Sequence, residues 1–329
     1  MDELLIVVAG TTEVSAIPGI SIAGASPEAT HYTPTLDVEY LITGRPLTLD
    51  VVPVTPSGIP TPALVTRSLT RGLPKLVVDA GCRYPPKIPA IPLGGMHGGD
   101  IRRGALPREV VERLIDRGRV LGRSLAPLRL AIGETIPGGT TTAMAILVAL
   151  GYNAWGKTSS ASPENPKELK MAVVREAVSR LKPPVDPVTA VAEVGDPVHI
   201  SIAAIALGAL EEGGEVVLAG GTQMAAAAAL LKALGGDLDK VVVATTRWIV
   251  EDKSADFYGL MKEVGVKRVV HSAASFAGSR FPGLRTYEQG YVKEGVAMGY
   301  ALWRAETLGL DVVKLVEEEY ERVSSYLKH

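Results

Sequence analysis

Two glycine-rich junctions and one late glutamate hold the residues of this 329-residue chain best suited to handling a charged small molecule. The first junction is LAIGETIPGGTTTAMAILVAL, residues 130–150. An apolar run leads into Gly133 and Glu134, then Pro137, Gly138 and Gly139, and Thr140, Thr141 and Thr142 open a helical stretch. Glycine lets a backbone approach a ligand closely, and threonine can cap a first helical turn. The N–H groups exposed at a helix start attract an anion, typically phosphate. An ordinary capped turn is the alternative that the same residues allow. The second junction, EVVLAGGTQMAAAAALLKAL at 215–234, repeats the pattern with Gly220, Gly221 and Thr222. Its alanines predict a thin helix packed on a sheet, and its glycines serve either that packing or the approach of a ligand.

Glu294 stands in YVKEGVAMGYALWRA, residues 291–305, ahead of a small-residue helical stretch. Such a glutamate is either a solvated charge or partly buried by the Val-Ala-Met-Gly face. Burial raises a carboxyl pKa and suits it to proton abstraction. The histidines at 31, 97, 199, 271 and 329 show no HExxH or other ligand spacing. His271, at a strand end beside Ser272, is the one best placed to border a site, and His329 reads as solvated. No GxSxG elbow, Walker A lysine loop or GxGxxG appears, which disfavours a hydrolase, an ATPase and a standard dinucleotide enzyme. VVDAGC, residues 77–82, has one acid and lacks the Thr-x-Gly of an ordinary phosphoribosyl-pyrophosphate loop.

The elements that must position these residues read as alternating strands and helices. Apolar runs at 4–9, 75–79, 128–132, 215–218, 240–245 and 267–270 suit strands of a parallel sheet buried on both faces. Helical stretches are expected at 107–125, 140–150, 167–181, 199–210, 224–234 and 254–264. This alternation predicts an α/β, doubly wound sheet that binds ligands beyond the carboxyl ends of its strands. Residues 16–72 are rich in Pro, Thr and Gly, and 311–328 form an amphipathic helix with an acidic face that docks on the core or a dimer partner. The loop at 155–166 lacks apolar anchors, so it reads as a mobile lid or as a plain polar surface loop.

Composition narrows the class. Hydrophobic residues make up 47% and charged residues 21%, a globular balance. A net charge of −2 offers no electrostatic reason to bind nucleic acid or an acidic membrane. One cysteine, Cys82, excludes an intrachain disulfide and any multi-cysteine metal site. No apolar run reaches a membrane-spanning length, and the start carries acids where a signal peptide carries bases. A cytoplasmic protein is expected. Two Asn and two Gln with 23 prolines hint at a thermophilic source.

In order and spacing, these segments resemble the nicotinate-nucleotide–dimethylbenzimidazole phosphoribosyltransferase family of cobalamin assembly, most closely its archaeal branch. GETIPGGTTTA matches the family's signature through Glu134, Gly138, Thr140 and Thr141. GGDIRRGALPREVVERLIDRG precedes it. KMAVVREAV, DPVTAVAEVGDPVHISIAAIALGA, LAGGTQMAAAAALL, HSAAS and KEGVAMGYAL follow in family order. The resemblance covers about residues 75–305, and residues 1–74 match poorly. Ile136-Pro137-Gly138-Gly139 departs from the family's Gly-Ile-Gly-Asn, and Gly156-Lys157-Thr158-Ser159-Ser160 replaces a GRGTG-like loop.

The resemblance implies a Rossmann-like, mostly parallel sheet with a smaller helical accessory part, working as a homodimer. Residues 75–305 would form the catalytic core, with 1–74 and 306–329 as accessory segments on the core and dimer interface. The implied reaction moves 5-phosphoribosyl from nicotinate mononucleotide to a benzimidazole-type base and needs neither metal nor cofactor. Glu294 would be the general base. Gly138, Gly139, Thr140 and Thr141 would lie against the phosphate, with Lys170 and Ser272 adding a charge and a donor. Glu134 would sit beside the ribose or leaving base, and Gly220 and Gly221 would join the nucleotide site. Thr33, Thr35 and Asp37 are candidates for the acceptor pocket. Two other readings stay open: a nucleotide-binding regulatory protein without acceptor chemistry, and a phosphoribosyltransferase using another base, such as a purine.

Overall fold

The computed structural model describes residues 2–24, 29–51 and 58–325. His329, expected to be solvated, lies outside the described residues. Seven strands form one parallel sheet: β1 (Glu3–Gly10), β2 (Lys75–Gly81), β3 (Ile91–Pro92), β4 (Arg129–Thr135), β5 (Glu215–Ala219), β6 (Val241–Thr245) and β7 (Arg268–His271). Helices α1 (Thr33–Thr43) and α2 (Pro62–Leu69) connect β1 to β2, and α3 (Arg108–Leu125) connects β3 to β4. Between β4 and β5 run α4 (Gly139–Ala149), α5 (Lys167–Val178), α6 (Pro187–Val194) and α7 (Pro197–Glu211). Then α8 (Gln223–Ala233) leads to β6, and α9 (Arg247–Val250) and α10 (Phe257–Val264) lead to β7. The chain closes with α11 (Pro282–Arg285), α12 (Met298–Thr307) and α13 (Val312–Ser325).

The strand order is β3-β2-β1-β4-β5-β6-β7. From β1 the chain winds outward one way to β3, then crosses back and winds the other way from β4 to β7. The order reverses between β1 and β4, which pair in register with Ile6 opposite Ile132 and Val8 opposite Glu134. At such a switch point the loops beyond the two carboxyl ends diverge to opposite faces and leave a crevice. The sheet takes β1, a central strand, from the segment that the sequence sets apart as accessory.

Both faces of the sheet are covered, which is why its strands read as unbroken apolar runs. Successive side chains of β1 alternate between two cores. Leu4, Ile6 and Val8 pack with Val110 and Val111 of α3, Ala143 of α4, Ile202 of α7 and Ala226 of α8. Leu5, Val7 and Ala9 pack with Val38 of α1, Leu64 of α2, Ala301 of α12 and Val316 of α13. The α7 helix is apolar around its circumference and buried from Pro197 to Leu210, as expected for a helix inside a layer. Among the described residues no helix is long and apolar enough to cross a membrane.

Candidate active site

Beyond the end of β4, Ile136-Pro137-Gly138 turns the chain into α4. Gly138 has φ +80, and a Cβ there would fall 2.9 Å from the Ser15 nitrogen, so the turn requires glycine. At the end of β5, Gly220-Gly221-Thr222 makes the corresponding turn into α8. Gly138, Gly139 and Thr140 from one turn and Gly221, Thr222 and Gln223 from the other line a single cavity of about 590 Å³. Two helix N-termini therefore converge on it, each presenting N–H groups and a partial positive charge.

Three carboxyl groups line the same cavity. Glu134, next to last in β4, accepts hydrogen bonds from Ile136 N at 3.1 Å and Gln223 Nε2 at 3.2 Å. Burial pushes its pKa up to about 7, against the lowering effect of the nearby His199. Asp37 of α1 accepts from Thr61 Oγ1 at 2.6 Å and Thr135 Oγ1 at 2.8 Å, and burial raises it to about 6. Glu294 accepts the Gly299 N–H at 3.0 Å through Oε1, while its Oε2 has no hydrogen-bond partner among the described residues. Burial raises Glu294 to about 8, despite the N–H groups at the start of α12. A buried carboxyl oxygen without a partner is costly to fold around, and a catalytic role is one of the reasons for which such groups occur.

The backbone that presents Glu294 is strained. Val292, Lys293, Val296 and Ala297 all have φ between 53 and 64, a left-handed conformation unfavourable for any residue with a Cβ and most of all for valine. Each such residue costs roughly 1–2 kcal/mol. Neighbouring elements hold the segment in place. Val292 N donates to Ala161 O and Val296 N to Glu134 O, both at 2.8 Å. Thr246 Oγ1 donates to Lys293 O at 2.6 Å, and Thr66 Oγ1 to Val296 O at 2.8 Å. The buried Lys293 ammonium reaches Ser160 O at 2.8 Å, Ser162 O at 3.0 Å and the Asp252 carboxylate at 3.0 Å. Strain maintained by this many partners is a mark of functional segments.

The cavity wall also has an apolar part, to which Ile20, Ile22, Leu36, Leu49, Ile59 and Pro60 contribute. No lysine or arginine is among the described residues that line the cavity. Among the described residues there is also no group of three or more His, Cys, Asp or Glu arranged to hold a metal ion.

Of the sequence candidates, Glu134, Gly138, Gly139, Thr140, Gly221 and Glu294 line the cavity, as do Thr33 and Asp37. The others do not. Thr141 is buried inside α4. Gly220 packs against Met224. Thr35 donates its hydroxyl to Tyr84 O. Ser272 is buried, with its Oγ taking the Ala274 N–H at 2.9 Å. Lys170 is buried behind the loop, where Nζ donates to Ser159 O at 2.6 Å and Thr158 O at 3.2 Å. That loop is not a free lid. Ser159 N donates to Thr222 Oγ1 at 3.0 Å, and Asn165 Nδ2 to Thr158 O at 2.9 Å and Ser254 O at 3.2 Å. His271 is exposed and away from the cavity. The histidine that adjoins the site is His199, buried at the start of α7 and 3.0 Å from Gln223 Oε1. Neither His199 nor Gln223 stood out in the sequence, because a buried polar chain leaves no local pattern.

A sequence model of the family described as phosphoribosyltransferase matches residues 71–248. A UPF0284 protein from Pyrobaculum calidifontis is 67% identical over 324 residues, covering 98% of this chain and 96% of its own. Another from Saccharolobus solfataricus is 50% identical over 331 residues, covering 98% and 93%. Among solved structures, the nicotinate-nucleotide-dimethylbenzimidazole phosphoribosyltransferase from Thermus thermophilus shares the fold, with a TM-score of 0.65 at 20% identity. That alignment covers 96% of this chain and 83% of the other. A structure of CobT from the same organism gives 0.62 at 22% identity, covering 94% and 84%.

Proposed function

From the premise that this chain belongs to the phosphoribosyltransferase family matched over residues 71–248, we propose that it moves 5-phosphoribosyl from nicotinate mononucleotide to a benzimidazole-type base, giving an α-ribazole phosphate for a cobalamin lower ligand. The observation that carries this reading is Glu294, a buried carboxyl raised to about 8 with one oxygen unpartnered among the described residues, in the wall of a cavity that also has apolar lining. In this reading a planar azole packs on the apolar lining, and Glu294 removes its N–H proton.

The nucleotide's phosphate lies against the starts of α4 and α8, held by peptide N–H groups of Gly138 and Thr140 and of Gly221–Gln223, while the Gly139 N–H is taken by Ile136 O. Lys170 supports this region from behind instead of touching the phosphate. Its ammonium draws in the Thr158 and Ser159 carbonyls and so fixes the wall formed by Ser159 and Ser160. The pyridinium ring of the nucleotide brings a positive charge into a cavity lined by three carboxyls. Glu134 lies beside the ribose, where positive charge grows as the C1′–N bond lengthens.

The transfer balances without a metal. The azole nitrogen forms a bond to C1′ as the bond to the pyridinium nitrogen breaks, and nicotinate leaves with that electron pair as a neutral ring. The azole N–H proton passes to Glu294. Attack opposite the leaving ring inverts C1′, which gives the α product. In this reading 75–305 with β1 is the transferase unit, and the remaining segments pack on it and on the second subunit of a homodimer.

The test is mass-resolved product analysis with nicotinate mononucleotide and a panel of azoles. Nicotinate release with a ribazole phosphate from benzimidazoles is the expected result. No phosphoribosylated product with any azole, despite nucleotide binding, overturns the reading in favour of a binding protein.

A further inference from the structure

A continuous polar chain runs from Glu134 into the core, through Gln223 to two side chains that do not line the cavity. Asp196, fully buried, caps α7 by accepting Val198 N at 2.8 Å and His199 N at 3.0 Å on Oδ1. Its Oδ2 accepts the Thr142 hydroxyl and meets His199 Nδ1. His199 is also fully buried, and its Nε2 lies 3.0 Å from Gln223 Oε1. Gln223 Nε2 lies 3.2 Å from Glu134 Oε1. Gln223 lies close over Gly139, where a Cβ would fall 2.2 Å from its Oε1.

The donors and acceptors of this chain run in one direction. A carboxylate only accepts, so Asp196 requires a proton on His199 Nδ1. A Glu134 carboxylate also only accepts, so Gln223 turns its NH₂ toward Glu134 and its carbonyl toward His199. His199 Nε2 must then donate as well. With both nitrogens protonated the ring is an imidazolium between two carboxylates. Burial alone would strip that proton. The Asp196 charge and hydrogen bond, with Glu134 and Gln223, outweigh burial and raise the His199 pKa. The charged groups facing Glu134 are Asp37 on α1, Asp196 and His199 at the start of α7, and Glu294 ahead of α12. Three are acids, and His199 is the cation among them.

We propose that His199, held protonated by Asp196, is a positioning residue for Glu134: acting through Gln223, it fixes the Glu134 carboxyl in place and favours its ionised form in the transfer site. The inference rests on the proposed phosphoribosyl transfer for its purpose, which is to stabilise the positive charge growing on the ribose. Its physical content is independent of that reaction. Asp196 and His199 touch no substrate and act only through Gln223 and Glu134.

The test follows the Glu134 carboxyl in the free protein by ¹³C-glutamate NMR, with the resonance assigned by Glu134→Gln. Wild type is compared with His199→Gln and with Gln223→Met. The second variant removes both amide hydrogen bonds but leaves the buried ion pair intact, so it keeps the test available if His199→Gln fails to fold. The expected result is a Glu134 titration displaced to higher pH in each folded variant. A titration that superposes on wild type overturns the inference. In the transfer assay at pH 7, kcat should fall roughly tenfold or more with KM for the nucleotide changed less than about threefold, the pattern of a lost transition-state interaction. Equal loss at all pH values, with Glu134 titrating as in wild type, also overturns it. If wild type makes no ribazole phosphate, the transfer reading fails alone, and the titration still decides the inference.

Discussion

A methyl group on Gly299 would lie 2.6 Å from Glu294 Oε2 and 2.4 Å from the Thr245 backbone. The bare Cα of Gly299 is what lets the carboxyl settle over the first turn of α12, with Oε1 on the Gly299 N–H. Gly299→Ala should displace the carboxyl by a fraction of an ångström or more. Small misplacements of a reacting group cost on the order of 100-fold in rate. Steady-state transfer by the purified variant is expected to fall by about that factor, with its circular dichroism unchanged. Wild-type turnover by this variant would remove the case for Glu294 as the base.

Glu294 also sets a pH dependence whose sign is fixed. A general base works unprotonated, and burial raises this carboxyl to about 8. Transfer should therefore rise with pH through neutrality and level off above about 8. Glu134, near 7, is electrostatically coupled to Glu294, so the acid limb belongs to both groups. Glu294→Gln should reduce transfer roughly 10²–10⁴-fold while calorimetry still registers nucleotide binding. A rate that is flat from pH 6 to 9 would contradict the assignment.

Six of the seven strands and the two glycine turns were legible in the sequence because each depends on its own residues. Buried parallel strands are apolar runs, and Gly138 at positive φ advertises its turn. Helices α1 and α2 were not legible. Thr33–Thr43 carries buried Asp37 and Glu39 on a helix with no clean apolar stripe. The two-residue β3 is half proline and pairs only through Val78–Ile91 and Asp79–Pro92. Glu294 was readable as a possibility, but the strained segment that presents it was not, since valines at positive φ violate local preference. Lys170 is a different case, a residue singled out only by the family resemblance. The resemblance implies a charge beside the phosphate there, and nothing local reveals that its Nζ turns to carbonyls 11 and 12 residues back.

That inward turn gives Lys170 a measurable effect on stability. Burial lowers its pKa from 10.5 to about 7, with the nearby Lys293 charge acting in the same direction. Between those values the unfolded chain holds a proton that the folded chain has released, so this group's contribution to stability increases as pH rises from about 7 toward 10.5. Lys170→Met removes the contribution. Urea unfolding at pH 7, 8.5 and 9.5 should show wild type gaining on the variant as pH rises, and a constant difference would contradict the buried placement. Because the wall at Ser159 and Ser160 loses its anchor, the variant's KM for the nucleotide should rise about tenfold, an estimate for the loss of one or two hydrogen bonds.

Glu319 provides the contrasting case, a buried acid that serves the fold and not the cavity. It accepts the Tyr40 hydroxyl at 2.7 Å and pairs with Arg71 at 3.0 Å, Arg67 at 3.3 Å and Arg322 at 2.6 Å, which ties α13 to α1 and α2. Burial alone would raise its pKa, but the hydrogen bonds from Arg322 and Tyr40 and the charges of Arg322 and Arg67 outweigh it and hold the carboxyl below the ordinary range. A depressed carboxyl pKa contributes stability above the unfolded value that is lost as pH falls through the folded one. Removing one partner of a buried ion pair costs roughly 3–5 kcal/mol, and the partial exposure of Arg67, Arg71 and Arg322 puts Glu319→Ala at or below the lower end. Thermal unfolding should show a lower Tm for Glu319→Ala at pH 7 and a smaller gap from wild type near pH 4. Since Glu319 does not line the cavity, kcat measured well below the variant's Tm should stay within about twofold of wild type, as for changes distant from a site. A loss of turnover as large as that of Glu294→Gln would mean that α13 reaches the chemistry by a route this geometry does not contain.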